Sequence, residues 1–162
     1  MKIVIRKSGK KGKGVFASRN IRKGEIILEK DYTKNTKIVN VKEISKLSEK
    51  DQNHIDYIGK GKYAVGYSPV FMINHSCEPN CYINHKNSSV RKVVAIRNIE
   101  KGKEICCDYA IDTTGKWKMK CLCRNENCRK IIYGDYNKLP KELQKKYWKL
   151  VPRRKKSILK GI

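Results

Sequence analysis

Three of the seven cysteines lie close together in the last third of the sequence. One residue separates Cys121 from Cys123, and four residues separate Cys123 from Cys128. Three thiolates on one short loop favour a structural zinc site, but a tetrahedral zinc ion needs a fourth ligand. The alternative is three free, buried thiols. Disulfides are disfavoured, because the cysteine count is odd and the chain reads as a protein of a reducing compartment.

A glycine-rich segment at residues 8–14 is the second candidate for a functional element. Gly12 and Gly14 can adopt positive φ angles and let the backbone approach a ligand closely. Taken alone, the same pattern also fits an ordinary hairpin turn.

Short strands must position these residues. Alternating or continuous apolar patterns predict strands at residues 2–6, 15–18, 26–29 and 91–97. Residues 70–73 form a short apolar run that leads into Asn74. Many short strands, punctuated by glycine, predict a mostly β architecture.

Two segments have helical patterns. Apolar residues three apart at residues 41–50 predict a short helix. A convincing helix is predicted near the C-terminus, with Pro140 in its first turn and apolar residues at helical spacing: Leu139, Leu143, Tyr147 and Leu150. Residues 155–162 read as a basic tail with little to bury.

The length of 162 residues predicts one domain, with room for a short appendage. The longest apolar runs, at residues 26–28 and 93–96, are far too short to span a bilayer. The N-terminus also lacks the apolar stretch of a signal peptide. We therefore expect an intracellular protein with no membrane partner.

The formal net charge of +24 comes from 39 basic and 15 acidic residues. Such an excess predicts attraction to nucleic acid or another acidic surface. The alternative is a lysine-rich soluble surface without a polyanionic partner, since the lysines are spread along the whole chain.

Four sequence segments occur in a recognisable order: GKGVFA at 12–17 with IRKGE at 21–25, FMINHSCEPNC at 71–81, IEKGKEI at 99–105 leading to Asp108 and Tyr109, and CLCRNENC at 121–128. Together they resemble the SET domain with its post-SET zinc motif. The resemblance covers roughly residues 2–135, and the segment at 71–81 is its most specific part.

The resemblance implies a SET-domain β-fold with short helices, a C-terminal helix and a pseudoknot. In the pseudoknot, the chain that carries Tyr109 threads the segment that begins at Asn74. The chain reads as a stand-alone catalytic module with three parts. These are a SET catalytic domain at residues 1–120, a post-SET zinc-binding segment at 121–135, and a C-terminal helix with a basic tail at 136–162.

The resemblance also implies the site residues. S-adenosylmethionine (SAM) is expected to contact the glycine loop and three further residues: Lys11, Gly12, Lys13, Gly14, Val15, Asn74, His75 and Tyr109. A structural zinc ion is expected at Cys77, Cys121, Cys123 and Cys128, with Cys77 as the fourth ligand.

Tyr109 is implied as the catalytic residue for methyl transfer to a lysine ε-amine of a protein. The amine must be neutral to attack, and burial beside a sulfonium lowers its pKa. A phenol can hold the amine without becoming a competing nucleophile. The alternative is a purely structural role for Tyr109, as a buried core tyrosine.

Two positions depart from the family pattern. Cys107 stands two residues before Tyr109, where Phe or Tyr is common, and the smaller thiol predicts that methylation continues beyond one methyl group. Val70 stands where many members have arginine. The second tyrosine of the lysine channel is open between Tyr32, Tyr63 and Tyr67.

The expected substrate is a chromatin or nucleic-acid-associated protein, with nucleic acid bound by the basic surface. The expected location is the nucleus or chromatin in a eukaryote, and the cytoplasm or nucleoid otherwise. Two alternatives stay open: methylation of a non-chromatin protein, and a catalytically silent SET module that binds nucleic acid.

Overall fold

In the computed structural model, which describes residues 2–52, 54–85, 87, 89–113, 115, 117–152, 155–156 and 159, strands dominate and every helix is short. The strands are β1 (Ile3–Lys7), β2 (Lys13–Ala17), β3 (Ile26–Asp31), β4 (Lys37–Asn40), β5 (Ile55–Gly59), β6 (Lys62–Val65), β7 (Asn74–His75), β8 (Cys81–His85), β9 (Val90–Ala95), β10 (Cys106–Cys107), β11 (Lys118–Lys120) and β12 (Ile131–Tyr133). The α-helices are α1 (Glu49–Gln52), α2 (Tyr109–Asp112) and α3 (Lys141–Tyr147). The predicted mostly β architecture is confirmed.

The strands form several small sheets rather than one large one. β1 and β2 make an antiparallel hairpin, as do β11 and β12. Two antiparallel sheets have the orders β3-β9-β8 and β4-β6-β5. β7 and β10 pair in parallel, with Asn74 opposite Cys106 and His75 opposite Cys107. This last pairing brings the two predicted site segments together.

The main core fixes both strands of that parallel pair. Ile73, just before β7, is 3% exposed, and Ile105, just before β10, is 0% exposed. Both belong to a cluster that also contains Val15 of β2 and Val93 of β9. Burying each such side chain stabilises the fold by about 2 kcal/mol. The core therefore holds the β1–β2 hairpin and the strands β7 and β10 in fixed positions relative to one another.

The predicted helices differ from the observed ones in type and length. Residues 41–50 form a 3₁₀ helix at Val41–Lys46 and the single turn α1, because a spacing of three matches the 3₁₀ period. The apolar run at 70–73 lies mostly in a 3₁₀ turn, Pro69–Met72. The C-terminal helix is confirmed as α3, followed by a 3₁₀ turn at Trp148–Leu150.

No helix in the described ranges is long and apolar enough to cross a bilayer. Of the predicted basic tail at 155–162, only residues 155, 156 and 159 belong to the described part of the chain. The expectation that this tail has little to bury is wrong for Lys155, which is 4% exposed. Its amino group donates to the carbonyls of Ala110 and Thr113, so the C-terminal segment is tied to α2.

Lys155 should make stability depend on pH. Burial lowers the pKa of Lys155 to about 8, so between about pH 8 and the usual lysine value the unfolded chain holds a proton that the folded chain lacks. Stability contributed by this group is therefore present at high pH and lost as the pH falls through 8. Relative to Lys155→Met, the unfolding free energy of the wild type should rise by up to about 3 kcal/mol over this window.

Urea unfolding of the two proteins across pH 7 to 10.5 measures the effect. Lys156→Met is the matched control, because Lys156 lies next in the chain and is less buried. Parallel pH profiles for the wild type and Lys155→Met would contradict the prediction.

Candidate active site

Tyr109 is the first residue of α2, and three contacts fix it. Its hydroxyl donates to the carbonyl of Ile73 at 3.0 Å. Its backbone N–H donates to Nδ1 of His75 at 3.2 Å, and the two rings pack with their centroids 5.4 Å apart. Asp108 caps the helix by accepting from the N–H of Ala110 at 3.1 Å. The phenol is therefore positioned by β7 from one side and by its own helix from the other.

The phenol of Tyr109 stays protonated at all physiological pH values. Burial raises its pKa above the ordinary value, and the thiols of Cys107 and Cys106 add to the effect. A protonated phenol can donate a hydrogen bond, and its oxygen can accept one from an amine. It is therefore suited to orienting a nucleophile without competing with it.

His75 is a neutral orienting group. Burial, together with the nearby cations Arg129 and Lys11, lowers its pKa to about 3. Because Nδ1 accepts the Tyr109 N–H, the proton lies on Nε2, which is 3.4 Å from the sulfur of Cys77. Nδ1 of His75 lies 3.6 Å from Oδ1 of Asp108, but a neutral imidazole makes no ion pair with the carboxylate.

The glycine loop approaches β7 so closely that Gly14 allows no side chain. A Cβ there would lie 2.5 Å from Oε1 of Glu104 and 2.9 Å from Nδ2 of Asn74. Gly12, with a φ of 79°, supplies the left-handed turn that starts β2. The loop joins the two strands of the β1–β2 hairpin, and its close approach to Asn74 and Glu104 goes beyond an ordinary turn. The contact of this loop with a ligand stays a prediction.

Glu104 is a site residue that the sequence reasoning did not single out. Its carboxylate accepts from Ser8 Oγ at 2.6 Å, from Asn74 Nδ2 at 2.8 Å and from Lys11 Nζ. Burial alone raises the pKa of Glu104, but these donors from Lys11, Ser8 and Asn74 outweigh it and lower the pKa. Its place in the segment at 99–105, two residues after Gly102, was the available signal.

A cavity of about 460 Å³ opens beside these groups, and it is lined by both basic and acidic side chains. Its walls include Lys11 and residues of three of the four sequence segments: Ser76, Asn80, Glu104, Cys123 and Asn125. Of the eight predicted SAM contacts, only Lys11 lines this cavity.

Four thiols form a compact group, as predicted: Cys77, Cys121, Cys123 and Cys128. Their sulfur atoms all lie within 4.8 Å of one another, and those of Cys77 and Cys121 are 3.7 Å apart. Zinc–sulfur bonds of about 2.3 Å in a tetrahedron place the sulfurs about 3.8 Å apart. The donor set therefore fits zinc, and four thiolates leave no open position for catalysis.

Arg129 joins this cysteine cluster to the tyrosine site. Its backbone N–H and its Nε both lie 3.3 Å from the sulfur of Cys77. Its Nη2 donates to Asp108 at 2.7 Å. Asp108 is fully buried and caps the helix of Tyr109, so the guanidinium links the two sites through one carboxylate. Arg129 was not predicted from the sequence, because a basic residue directly after a cysteine has no distinctive spacing.

The open candidates for a second channel tyrosine differ in position. Tyr32 is 2% exposed, packs against Phe71 at 5.4 Å between centroids, and shares the main core with Tyr109. Tyr63 packs instead on Tyr57 of β5, and Tyr67 is 42% exposed. Of the three, Tyr32 is the one that belongs to the core against which Tyr109 packs, and the choice of the second channel tyrosine stays a prediction.

Comparison with known proteins assigns the family. The SET-domain profile matches residues 12–110. The H3 lysine-36-specific histone-lysine N-methyltransferase of Saccharomyces cerevisiae is 32% identical over 151 residues, covering 82% of this chain and 19% of that protein. The trithorax histone-lysine N-methyltransferase of Drosophila virilis is 28% identical over 139 residues, covering 75% of this chain and 3% of that protein. The chain thus spans about a fifth or less of these relatives.

Among solved structures, Arabidopsis thaliana SUVH6 in complex with SAM superposes with a TM-score of 0.61. The sequence identity is 22%, and the match covers 81% of this chain and 32% of that chain. At this identity the likeness shows the fold alone. Since the profile match extends over more than half of its length, the chain belongs to the SET-domain family.

Proposed function

We propose that the chain is a protein-lysine methyltransferase that uses SAM as its methyl donor. The observation that carries the proposal is the partly buried, protonated phenol of Tyr109, fixed by His75 and Ile73. The relatives named above are histone-lysine N-methyltransferases, which supports the same reaction class.

SAM would be held by the glycine loop and by β7, and it supplies an electrophilic methyl group on a sulfonium. The chain's own residues organise that pocket. The carboxylate of Glu104 holds Lys11 and Asn74 in place, so the loop and the strand keep one fixed separation. A wall fixed in advance loses little conformational freedom when a ligand binds.

Tyr109 would align the incoming lysine. A lysine amine has a pKa of about 10.4 in water, and burial favours its neutral, nucleophilic form. The phenol oxygen can accept a hydrogen bond from that neutral amine while the phenol's own O–H still donates to the Ile73 carbonyl. Holding the lone pair in line with the methyl group removes much of the entropic barrier.

The proposed substrate is a lysine of a chromatin protein, which places the enzyme in the nucleus or on chromatin. The names of the relatives support this class, and the charge of +24 favours a partner that contains nucleic acid. Methylation of a non-chromatin protein and a silent nucleic-acid-binding module are the competing functions.

Transfer of tritium from labelled SAM tests the proposal. Core histones, nucleosomes, ribosomal proteins and the chain itself are offered as acceptors in parallel. We expect label in lysines of histones or nucleosomes. Label confined to ribosomal proteins would favour the non-chromatin function, and no label in any acceptor would favour the silent module.

Cys107 should permit more than one methyl group per lysine. It is 2% exposed and lies opposite His75 in the β7–β10 pair. Tyr109 packs against the ring of His75. The thiol is smaller than the aromatic side chain common at this position, so a methylated amine has more room. Mass spectrometry of the product should show di- or trimethyl-lysine for the wild type and mainly monomethyl-lysine for Cys107→Phe.

Cys107→Ala is the control, because it enlarges the site and should keep multiple methylation. The folded state of each variant is checked by its thermal unfolding, since a ring added to a filled core costs about 1–3 kcal/mol. Exclusive monomethylation by the wild type would contradict this interpretation of Cys107.

A further inference from the structure

The β1–β2 hairpin lies in a part of the chain that carries only positive charge. Residues 1–24 contain nine lysines and arginines, and the first acidic residue is Glu25. Both strands of the hairpin and the turn between them fall within this stretch. The hairpin therefore has no carboxylate of its own to neutralise its lysines.

A second basic segment packs directly against the hairpin. The N–H of Ala17 donates to the carbonyl of Lys103 at 2.9 Å, and the N–H of Gly102 donates to the carbonyl of Ala17 at 2.8 Å. The guanidinium of Arg6 donates to the carbonyl of Gly102 at 2.6 Å. The loop at 101–103 is thus an extension of the hairpin, and its lysines join those of β1 and β2.

We call the exposed lysines of these two segments the basic hairpin surface: Lys7, Lys10, Lys13, Lys101 and Lys103. Among the described residues, none of the five has an acidic group within ion-pair distance. Their neighbours behave differently, since Lys11 pairs with Glu104 and Lys2 pairs with Glu25. The surface therefore presents several unneutralised ammonium groups within one small structural unit.

We propose that the basic hairpin surface binds duplex DNA through its phosphate backbone. A strand advances about 3.3 Å per residue, so the hairpin is about 17 Å long. Duplex DNA carries one negative charge per about 1.7 Å of axis. The dimensions allow the lysines to meet several phosphates of one duplex and to release their counterions.

The chemistry of the hairpin favours a duplex over an unpaired strand. Proteins that hold single strands stack bases on exposed aromatic rings. The aromatic ring of the hairpin, Phe16, is 9% exposed and is covered by the guanidinium of Arg6 at 4.0 Å from its centroid. The surface offers charge without a stacking platform, which suits backbone contacts that ignore sequence.

This surface deepens the proposed function, on which its biological role rests, by naming the partner that would deliver the enzyme to chromatin. The same hairpin carries the glycine loop at 11–15, so bound DNA would lie near the cofactor side of the site. DNA binding itself needs no methyl donor and is measured separately from catalysis.

Fluorescence anisotropy with a labelled duplex of mixed sequence tests the proposal. The probe is titrated with wild-type protein between about 50 and 200 mM salt. Lys7→Glu and Lys101→Glu are combined in one variant that spares the glycine-rich segment at residues 8–14. We expect this variant to weaken binding at least about tenfold and to reduce the salt slope by about 2.

The matched control combines Lys42→Glu and Lys62→Glu, which are exposed lysines outside the hairpin and change the charge equally. It should retain most of the affinity. Equal weakening by both variants, tighter binding to a single strand than to the duplex, or no salt-dependent binding would overturn the proposal.

Methyl transfer to an isolated histone peptide separates this proposal from the proposed function. The hairpin variant should keep activity on the peptide and lose activity on nucleosomes. DNA binding without any methyl transfer would leave the surface in place and reject the enzyme. Methyl transfer without DNA binding would support the enzyme and reject the DNA-binding surface.

Discussion

Replacing Tyr109 by phenylalanine should lower kcat for methyl transfer about a hundredfold or more while leaving the fold intact. The substitution removes one hydroxyl, which donates to the carbonyl of Ile73 in the structure. Loss of a positioned hydrogen-bonding group at a reacting centre costs about 100- to 1,000-fold in rate. Tritium transfer at saturating SAM and substrate measures kcat, and binding of SAM is measured separately by calorimetry.

Tyr136→Phe is the matched control for this experiment. Tyr136 is 2% exposed, and like Tyr109 it donates its hydroxyl to a backbone carbonyl, that of Gln144. Each variant loses one hydrogen bond, worth about 1 kcal/mol of stability. Similar losses of stability with a rate defect in Tyr109→Phe alone identify the phenol as catalytic. Equal kcat values in both variants would make Tyr109 a structural tyrosine.

The sequence predicted the residues whose identity is constrained by chemistry. Cysteine spacing indicated a metal cluster before any fold was known, because few other functions place three thiols so close together. The resemblance then supplied Cys77, and the sulfur of Cys77 does lie 3.7 Å from that of Cys121. Strand patterns were also informative, since β9 alternates buried and partly buried residues along its length.

Residues that act by joining distant segments were not predictable in the same way. Glu104 and Arg129 are charged residues in a highly charged chain, so residue type does not distinguish them, and only Glu104 lies in a segment that the sequence marks out. Their roles depend on partners 93 residues away for Lys11 and Glu104, and 21 residues away for Arg129 and Asp108. Lys155 was misjudged for the same reason, because only the fold brings it to the carbonyls of α2.

Replacing Cys121 by serine should abolish zinc binding and detach the C-terminal part of the site. Wild-type protein purified under reducing conditions should contain about one zinc ion per chain. A serine hydroxyl is a poor zinc ligand, and a structural site holds its metal with about 10 kcal/mol or more. We expect metal analysis to find little zinc in the variant and methyl transfer to fall at least about tenfold.

The activity loss follows from the route between the cluster and Tyr109. The cluster fixes Cys77, whose sulfur contacts the guanidinium of Arg129. Arg129 in turn donates to Asp108 at the start of α2. Without the metal, the buried carboxylate of Asp108 loses a fixed cation, and breaking such a pair costs about 3–5 kcal/mol.

Cys106→Ser is the control, because Cys106 is 7% exposed but lies outside the four-thiol group. It should keep its zinc, and zinc retained by Cys121→Ser would show that this thiol is not a ligand.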